Sequence, residues 1–320
     1  MAGLWKGTSV TELSVRVIER TDEADAVFAL VLAAADGGDL PSWTPGAHID
    51  VAVGESGVRQ YSLCGDPAER DRWRIAILHE PTGRGGSAYL HRTALPGSTL
   101  SVSLPRNNFE LGSAPEYTFV AGGIGITPIL PMIAAADRAG ARWTLHYGAR
   151  TKAHMAFADA LLGRYPAVNL VPQDVSGLLP IADILAASPG AAVYCCGPEP
   201  LLAAVEAEGQ RQGMTMRTER FVPRAVDRTG PDAAFEIQLA QSGRTLRIAA
   251  DRSIVDVLES AGVPVITSCR EGTCGSCETP VLDGEIDHRD SLLTPEERDS
   301  GKTMMLCVSR AHSEVLVLDL

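Results

Sequence analysis

The chain has 320 residues, 45% hydrophobic and 21% charged, a globular composition with room for two or three domains. No apolar run reaches the length of a membrane span, and the opening MAGLWKGTSVTELSVRV lacks the pattern of a secretory leader, so a cytoplasmic protein is expected. A net charge of −12 makes nucleic acid a poor partner. Residues 232–320 carry much of the excess, with 16 acidic and 8 basic side chains, which serves solubility first and a basic docking partner second.

Up to about residue 112 the pattern is one of short β segments, LSVRVIERT, AVFALVLAA, HIDVAVG, RQYSLCG, RWRIAILHE and STLSVSLP, separated by DGGD, PSWTPG, GDPAERD and PTGRGG. Regularly spaced short strands with turn residues between them predict an antiparallel β-barrel over 1–112. From Glu116 the period changes. YTFVAGG, ARWTLHYGAR, VNLVPQ and AAVYCCG are strands, each followed by a helical stretch: TPILPMIAAADRAG, HMAFADALLGRY, PIADILAAS and EPLLAAVEAEGQRQG. That alternation predicts an α/β domain with a mostly parallel sheet over 113–223. Residues 224–233 are expected to form a linker, since the stretch VPRAVDRTGPD after Phe221 is polar with two prolines and a glycine. A third domain, 234–320, opens with a hairpin around Ser242-Gly243 and a helix capped by Ser253, and closes on the strand LVLDL.

Four of the seven cysteines fall at Cys269-x4-Cys274-x2-Cys277 and, after 29 intervening residues, Cys307. This is plant-type [2Fe-2S] spacing. Gly272, Gly275 and Ser276 are small enough to let the loop wrap a cluster and turn its backbone N–H groups toward sulfur. A structural zinc site would repeat short cysteine pairs, and free buried cysteines would not need the small residues. The odd count argues against a disulfide framework.

Gly122-Gly123-Ile124-Gly125-Ile126-Thr127-Pro128 joins a strand to a helix. Such a turn brings backbone close to a pyrophosphate at a helix N-terminus, although it is not the G-x-G-x-x-G fingerprint. Thr127 is expected to cap the helix and Pro128 to occupy its first position. Cys196-Gly197-Pro198 ends another strand, and both loops would line the carboxyl edge of the sheet. Asp174 is placed to hydrogen-bond a ribose 2′-hydroxyl, favouring NADH. Arg150 and Lys152 argue the other way, since they can hold a 2′-phosphate.

Arg59-Gln60-Tyr61-Ser62 ends a barrel strand, and Arg84-Gly85-Gly86-Ser87 opens a short helix. Arg59 or Arg84 can pair with a phosphate, Tyr61 offers a flat face to an isoalloxazine ring, and Ser62 can hydrogen-bond near its N5. Redox logic ties the pieces together. A hydride carries two electrons and a [2Fe-2S] cluster accepts one, so a chain with a dinucleotide site and a cluster needs a flavin between them.

RQYS, GRGGS, AGGIGITPI, YCCGP and CREGTCGSC…MLCVSR stand here in the order found in the phthalate dioxygenase reductase family, which includes vanillate O-demethylase reductases, and the chain resembles that family along essentially its whole length. The resemblance implies an FMN-binding barrel, an NADH-binding α/β domain and a C-terminal β-grasp ferredoxin. It implies FMN rather than FAD, because relatives with FAD usually carry the ferredoxin first. By position it places Arg59, Tyr61, Ser62, Ala76, Ile77, Leu78, Arg84, Gly85, Gly86, Ser87 and Phe221 at the flavin. Gln60 and Thr127 are counted with them as candidates. It places Gly122 to Thr127 and Cys196 to Pro198 at the nicotinamide nucleotide, and Cys269, Cys274, Cys277 and Cys307 on the cluster. Cys196 and Ser62 are expected to position the hydride transfer, and the loop with Arg270, Glu271 and Thr273 to form the electron exit.

The implied activity is that of an oxygenase reductase, a monomer that passes electrons to a Rieske-type oxygenase component docked near the cluster. A cytochrome P450 acceptor and a general NADH diaphorase stay open as alternatives. A redox sensor would need an output segment that this chain does not offer. The seven histidines have no metal-like spacing, and Met304-Met305 are expected in the core.

Overall fold

The computed structural model describes residues 12–224 and 232–320, so most of the expected linker lies outside the described residues. The chain separates into two compact units, one ending at Phe221 and one running from Val222 to Leu320.

The first unit begins with β1 (Glu12–Ala24), β2 (Val27–Ala34), β3 (His48–Ala52), β4 (Val58–Ser62), β5 (Trp73–Leu78), helix α1 (Gly86–Thr93) and β6 (Thr99–Ser103). These strands pair antiparallel in the order β4-β3-β6-β1-β2-β5. A bridge from Leu63 to Ile75, with Cys64 N–H donating to Arg74 O at 2.8 Å, closes the sheet into the expected barrel. Closure leaves no free strand edge. Alternation sends Val15, Val17, Leu30, Leu32, Ile49, Val51, Ile75 and Ile77 into one interior, where Leu90 of α1 joins them.

The same unit continues with β7 (Glu116–Gly122), α2 (Ile126–Arg138), β8 (Arg142–Ala149), α3 (Ala158–Arg164), β9 (Val168–Pro172), α4 (Gln173–Ser176), α5 (Ile181–Ala186), β10 (Ala192–Cys196), α6 (Glu199–Gln212) and β11 (Met216–Glu219). All five strands are parallel, in the order β11-β10-β7-β8-β9. Both faces of β7 are buried: Phe119 and Ala121 against α2, Val120 with α5 and α6. The chain runs outward from β7 through β8 and β9, then returns to β10 on the other side. The topological switch point therefore lies between the carboxyl ends of β7 and β10.

Two local expectations are corrected. Helix α2 follows directly on a 3-10 turn over Gly123–Gly125, so Pro128 lies inside the helix and Thr127 is not its cap. The Thr127 hydroxyl instead donates to Ile124 O at 2.9 Å and braces the turn. The stretch HMAFADALLGRY does not form one helix. Phe157 takes a left-handed backbone (φ 62), which confines α3 to Ala158–Arg164.

The second unit holds β12 (Phe235–Leu239), β13 (Thr245–Ile248), α7 (Ile254–Ser260), β14 (Glu278–Asp283), β15 (Ile286–Asp287), α8 (Pro295–Ser300), β16 (Thr303–Met305), β17 (Arg310–Ala311) and β18 (Val315–Leu318). Its main sheet, β13-β12-β18-β14-β16, pairs β12 with β18 in parallel and the rest antiparallel, as in a β-grasp. The Ser253 hydroxyl accepts from Asp256 N–H and caps α7, as its sequence position predicts. Ile254, Val255 and Leu258 then face a core that includes Met304, Met305, Cys277 and Cys307. Among the described residues, no helix is long and apolar enough to cross a membrane.

Candidate functional site

In the second unit the loop between α7 and β14 carries three of the four cysteines. Its tight course is built from left-handed residues: Arg270 (φ 55), Gly272 (φ 71) and Gly275 (φ 72). A Cβ on Gly272 would lie 2.6 Å from Val308 Cγ2 and 3.0 Å from Asp290 Cα, so close approach as well as backbone conformation requires glycine there. Cys274, Cys277 and Cys307 are buried and Cys269 half-buried. Cys307 follows β16 by two residues in a turn rather than ending the strand itself. The Cys269 sulfur faces the thiols of Cys274 and Cys307. Glu271 N–H also points at it, 3.3 Å away. Among the described residues, no three ligating side chains gather around a single-ion site. Three cysteines on one loop and a fourth just after β16 supply the four thiolates of a binuclear cluster, in which each iron meets only two protein sulfurs. Arg270 is held by Asp256 at 2.9 Å and by Glu259, both on α7, which pins the loop to that helix.

In the first unit, Arg59 lies on β4 beside the turn that starts α1. Its guanidinium donates to Ser56 O, Val58 O and Arg84 O. Burial, and after it the Arg84 guanidinium, lowers the Arg59 pKa. Crowding two guanidiniums at a glycine turn makes a ready anion site. The glycines allow it, since a Cβ on Gly86 would lie 2.7 Å from Arg59 Cγ and one on Gly85 would lie 2.8 Å from Ser56 Oγ. Ser87 Oγ accepts from Glu80 N–H and fixes the turn. Burial pushes the Tyr61 phenol up to about 12, so it stays protonated. The Ser62 hydroxyl is buried and has no hydrogen-bond partner among the described residues, so a ligand that reaches it meets an unsatisfied polar group. These features fit a flavin phosphate and ring. Gln60 turns away to Asp50 at 3.0 Å, and Ile77 lies in the barrel interior, leaving only its backbone for contact. Ala76 and Leu78 pack instead with the cluster that includes Ala121 and Cys196. Phe221, 41% exposed, ends the unit with an uncovered ring.

The two nucleotide loops meet at the switch point. A Cβ on Gly125 would lie 2.3 Å from Cys196 O, one on Gly122 would lie 2.7 Å from Pro198 Cδ, and one on Gly197 would lie 3.0 Å from Gly122 Cα. The three glycines are there so that two loops can pack backbone to backbone. Gly123 (φ +53) has open space above it, as a ligand-facing residue should. Arg150 and Asp174 are exposed at the ends of β8 and β9, where Asp174 N–H donates to Arg150 O at 3.1 Å.

One residue was not found by sequence reasoning. Glu219 is paired with Cys196 across β10 and β11, and the thiol points at its Oε2 from 4.0 Å. Burial pushes the Glu219 carboxyl up to about 8, and burial first, with Glu219 second, drives the Cys196 thiol well above its ordinary value. The only signal in sequence was its place two residues before Phe221 in MRTERF. A carboxyl whose folded-state pKa is raised from 4.5 to about 8 stabilises the fold fully below the lower value and loses that contribution as pH rises through the higher one. Glu219→Gln should therefore gain in melting temperature over the wild type as pH climbs from 4.5 to about 8, and the gap should level off above that. A gap in melting temperature that stays flat with pH would exclude a buried carboxyl of raised pKa.

Barrel, parallel sheet and cysteine loop together define an iron–sulfur flavoreductase. Residues 237–312 match the family model of the 2Fe-2S iron-sulfur cluster binding domain. The chain is 42% identical over 316 residues to phenoxybenzoate dioxygenase subunit beta of Ectopseudomonas oleovorans, covering 98% of both. It is 40% identical over 315 residues to vanillate O-demethylase oxidoreductase of Pseudomonas putida, covering 95% of this chain and 98% of that one. The solved structure of phthalate dioxygenase reductase superposes with a TM-score of 0.69 at 37% identity, over 97% of this chain and 98% of that chain. A type IV self-sufficient cytochrome P450 monooxygenase superposes with a TM-score of 0.89 at 40% identity, but this chain spans only 41% of its length. The chain belongs to the family of phthalate dioxygenase reductase and vanillate O-demethylase oxidoreductase, and it is an oxidoreductase with FMN, NADH and a [2Fe-2S] cluster as its cofactors.

Proposed function

We propose that this protein is the reductase component of an oxygenase system and that its acceptor is a Rieske-type aromatic dioxygenase or O-demethylase. The observation that carries the reading is one chain holding two adjoining sites, the Arg59/Arg84 anion turn and the Gly122–Gly125 crevice, together with a cysteine loop for a binuclear cluster. When bound, the flavin supplies the conversion of a two-electron hydride into single electrons.

The protein's part is placement. Arg59 and Arg84, with Gly85, Gly86 and Ser87, hold the flavin phosphate. Tyr61 and Phe221 flank the ring, Ala76, Ile77 and Leu78 line it through β5, and Ser62 hydrogen-bonds at its edge. Gly122 to Thr127 receive the NADH pyrophosphate over Gly123, and Cys196 to Pro198 bound the nicotinamide. Cys196, protonated, and Glu219 keep that end dry and neutral. Ser62 and Cys196 orient the reacting ends; neither needs to exchange a proton. Cys269, Cys274, Cys277 and Cys307 bind the cluster, and electrons leave past Arg270, Glu271 and Thr273. The domains assigned to these tasks are 1–112 for FMN, 113–223 for NADH and 234–320 for the cluster. The protein works in the cytoplasm as a monomer.

An anaerobic NADH titration followed by absorbance, with the released flavin identified, tests this directly. Bleaching of both flavin and cluster bands, with FMN released, is the expected result. A flavin that bleaches beside a cluster band that persists would leave only a diaphorase. A cytochrome P450 acceptor is the second reading, favoured by the superposition on the P450 monooxygenase. Transfer to an added Rieske oxygenase that is slower than to an added P450 would select it.

Asp174 sets the nucleotide preference. Asp174→Ser should bring the NADH to NADPH ratio of kcat/KM down by about tenfold, because the carboxylate no longer repels a 2′-phosphate beside Arg150. An unchanged ratio would remove Asp174 from the site.

A further inference from the structure

We propose that Arg220 is a positioning residue for hydride transfer, clamping the strand that presents Glu219 and Phe221 onto the helix that begins at the nucleotide loop. This inference rests on the reading of the Cys196 crevice given above.

Among the described residues β11 is an edge strand, bonded only to β10, and it is four residues long. The Cys196–Glu219 pair is the last rung of its ladder, and Arg220 and Phe221 lie beyond it. Arg220 supplies a restraint there. Its residue is only 8% exposed. Nε donates to Glu199 Oε2 at 2.8 Å and Nη2 to Glu199 Oε1 at 3.3 Å, a two-pronged pair. Nη2 also reaches Glu206 Oε2 at 2.8 Å, and Nη1 reaches Thr218 Oγ1 at 3.3 Å. Thr218 in turn donates to Glu206 Oε1 at 2.8 Å.

Glu199 is the residue directly after Cys196-Gly197-Pro198 and opens α6. One guanidinium thus joins the two chain segments that flank the nicotinamide end of the crevice. Strand alternation sends Arg220 toward α6 and Glu219 to the opposite face, toward Cys196. The guanidinium of Arg220 is bound to Glu199, Glu206 and Thr218. It acts by fixing where Glu219 and Phe221 stand. A planar fork held by two carboxylates resists displacement in a way that a single ammonium cannot.

Two variants test the clamp. Arg220→Lys keeps the charge and loses the fork. Glu199→Gln weakens the α6 end while leaving Arg220 paired to Glu206, and it carries the test if the lysine variant does not fold. At saturating NADH, the rate of flavin reduction per bound flavin should fall by about 10- to 100-fold in Arg220→Lys, with half-saturation moving less than about twofold. In the absence of NADH, alkylation of Cys196, read by peptide mass spectrometry, should rise by about tenfold as the strand end opens. Combining Arg220→Lys with Glu219→Gln should cost less than the two changes summed.

A purely structural arginine would lower melting temperature and flavin content but leave the rate per bound flavin and the Cys196 reactivity at wild-type levels. That result, or strict additivity with Glu219→Gln, overturns the proposal. Failure of NADH to reduce the wild-type flavin would instead overturn the reading of the crevice itself.

Discussion

In a Cys277→Ala variant, NADH should still bleach the flavin at close to the wild-type rate while reduction of cytochrome c falls by roughly 100-fold or more. Cys277 is buried and stands immediately before β14, with its thiol against Cys307. Its removal takes away one of the four thiolates that two irons require. No other cysteine can replace it, because Cys64, Cys195 and Cys196 lie in the other compact unit. The flavin and nucleotide residues also belong to that unit, so they should keep their geometry. The variant's ferredoxin unit should melt lower, since cluster binding is coupled to folding of the core around Cys277 and Cys307. Stopped-flow reduction of the flavin and steady-state cytochrome c reduction, run on one preparation, check the split. Full-rate cytochrome c reduction by the variant would mean that electrons leave from the flavin directly.

This prediction stands on residues whose meaning is local, and local meaning is what the sequence carries well. The spacing of Cys269, Cys274 and Cys277 is imposed by one loop around one cluster, so it can be read without any tertiary structure. The switch from short alternating strands to a strand–helix rhythm near Glu116 likewise marks the passage from barrel to parallel sheet, because the period follows directly from backbone geometry. The Ser253 cap belongs to the same class, one side chain and one amide three residues on.

Features set by neighbours distant in sequence were not legible. MRTE has no apolar alternation, and β11 exists because β10 offers it an edge. Glu219 therefore went unseen until the sheet placed it against Cys196. Thr127 has the residue type of a cap, but the 3-10 turn ahead of it lets the helix start early, and the hydroxyl serves the turn. Phe157 reads as helical and is not: it takes a left-handed backbone, with Arg74 over its ring, 4.8 Å from the centroid. Gly122 and Gly125 looked like ligand-facing glycines. They are glycines because one backbone lies on another, and only Gly123 opens onto free space.

That last distinction gives a prediction opposite to the one sequence alone would make. Gly125→Ala should lower the rate of NADH-driven flavin reduction by up to about 100-fold, whereas Gly123→Ala should cost less than about tenfold. The alanine Cβ at 125 would come within 2.3 Å of Cys196 O and 2.7 Å of Gly197 N, which are backbone atoms without a rotamer to yield. The two loops must then part, at a stability cost of about 1–3 kcal/mol, typical of overpacking. Parting moves Cys196 away from the place where the nicotinamide is held, and a shift of about an ångström there is enough for the larger loss. At 123 the added methyl meets no protein atom but points into the space proposed for the NADH pyrophosphate, so the cost is the backbone strain of a non-glycine at φ +53 and a raised KM, which the rate at saturating NADH does not register. Chemical reduction of the flavin by dithionite should be unaffected in both variants, because neither glycine lies in the turn assigned to its phosphate. If Gly123→Ala proves the more damaging change, the pyrophosphate lies closer to the backbone than the open space suggests. The close packing of the two loops would then not be what sets the rate.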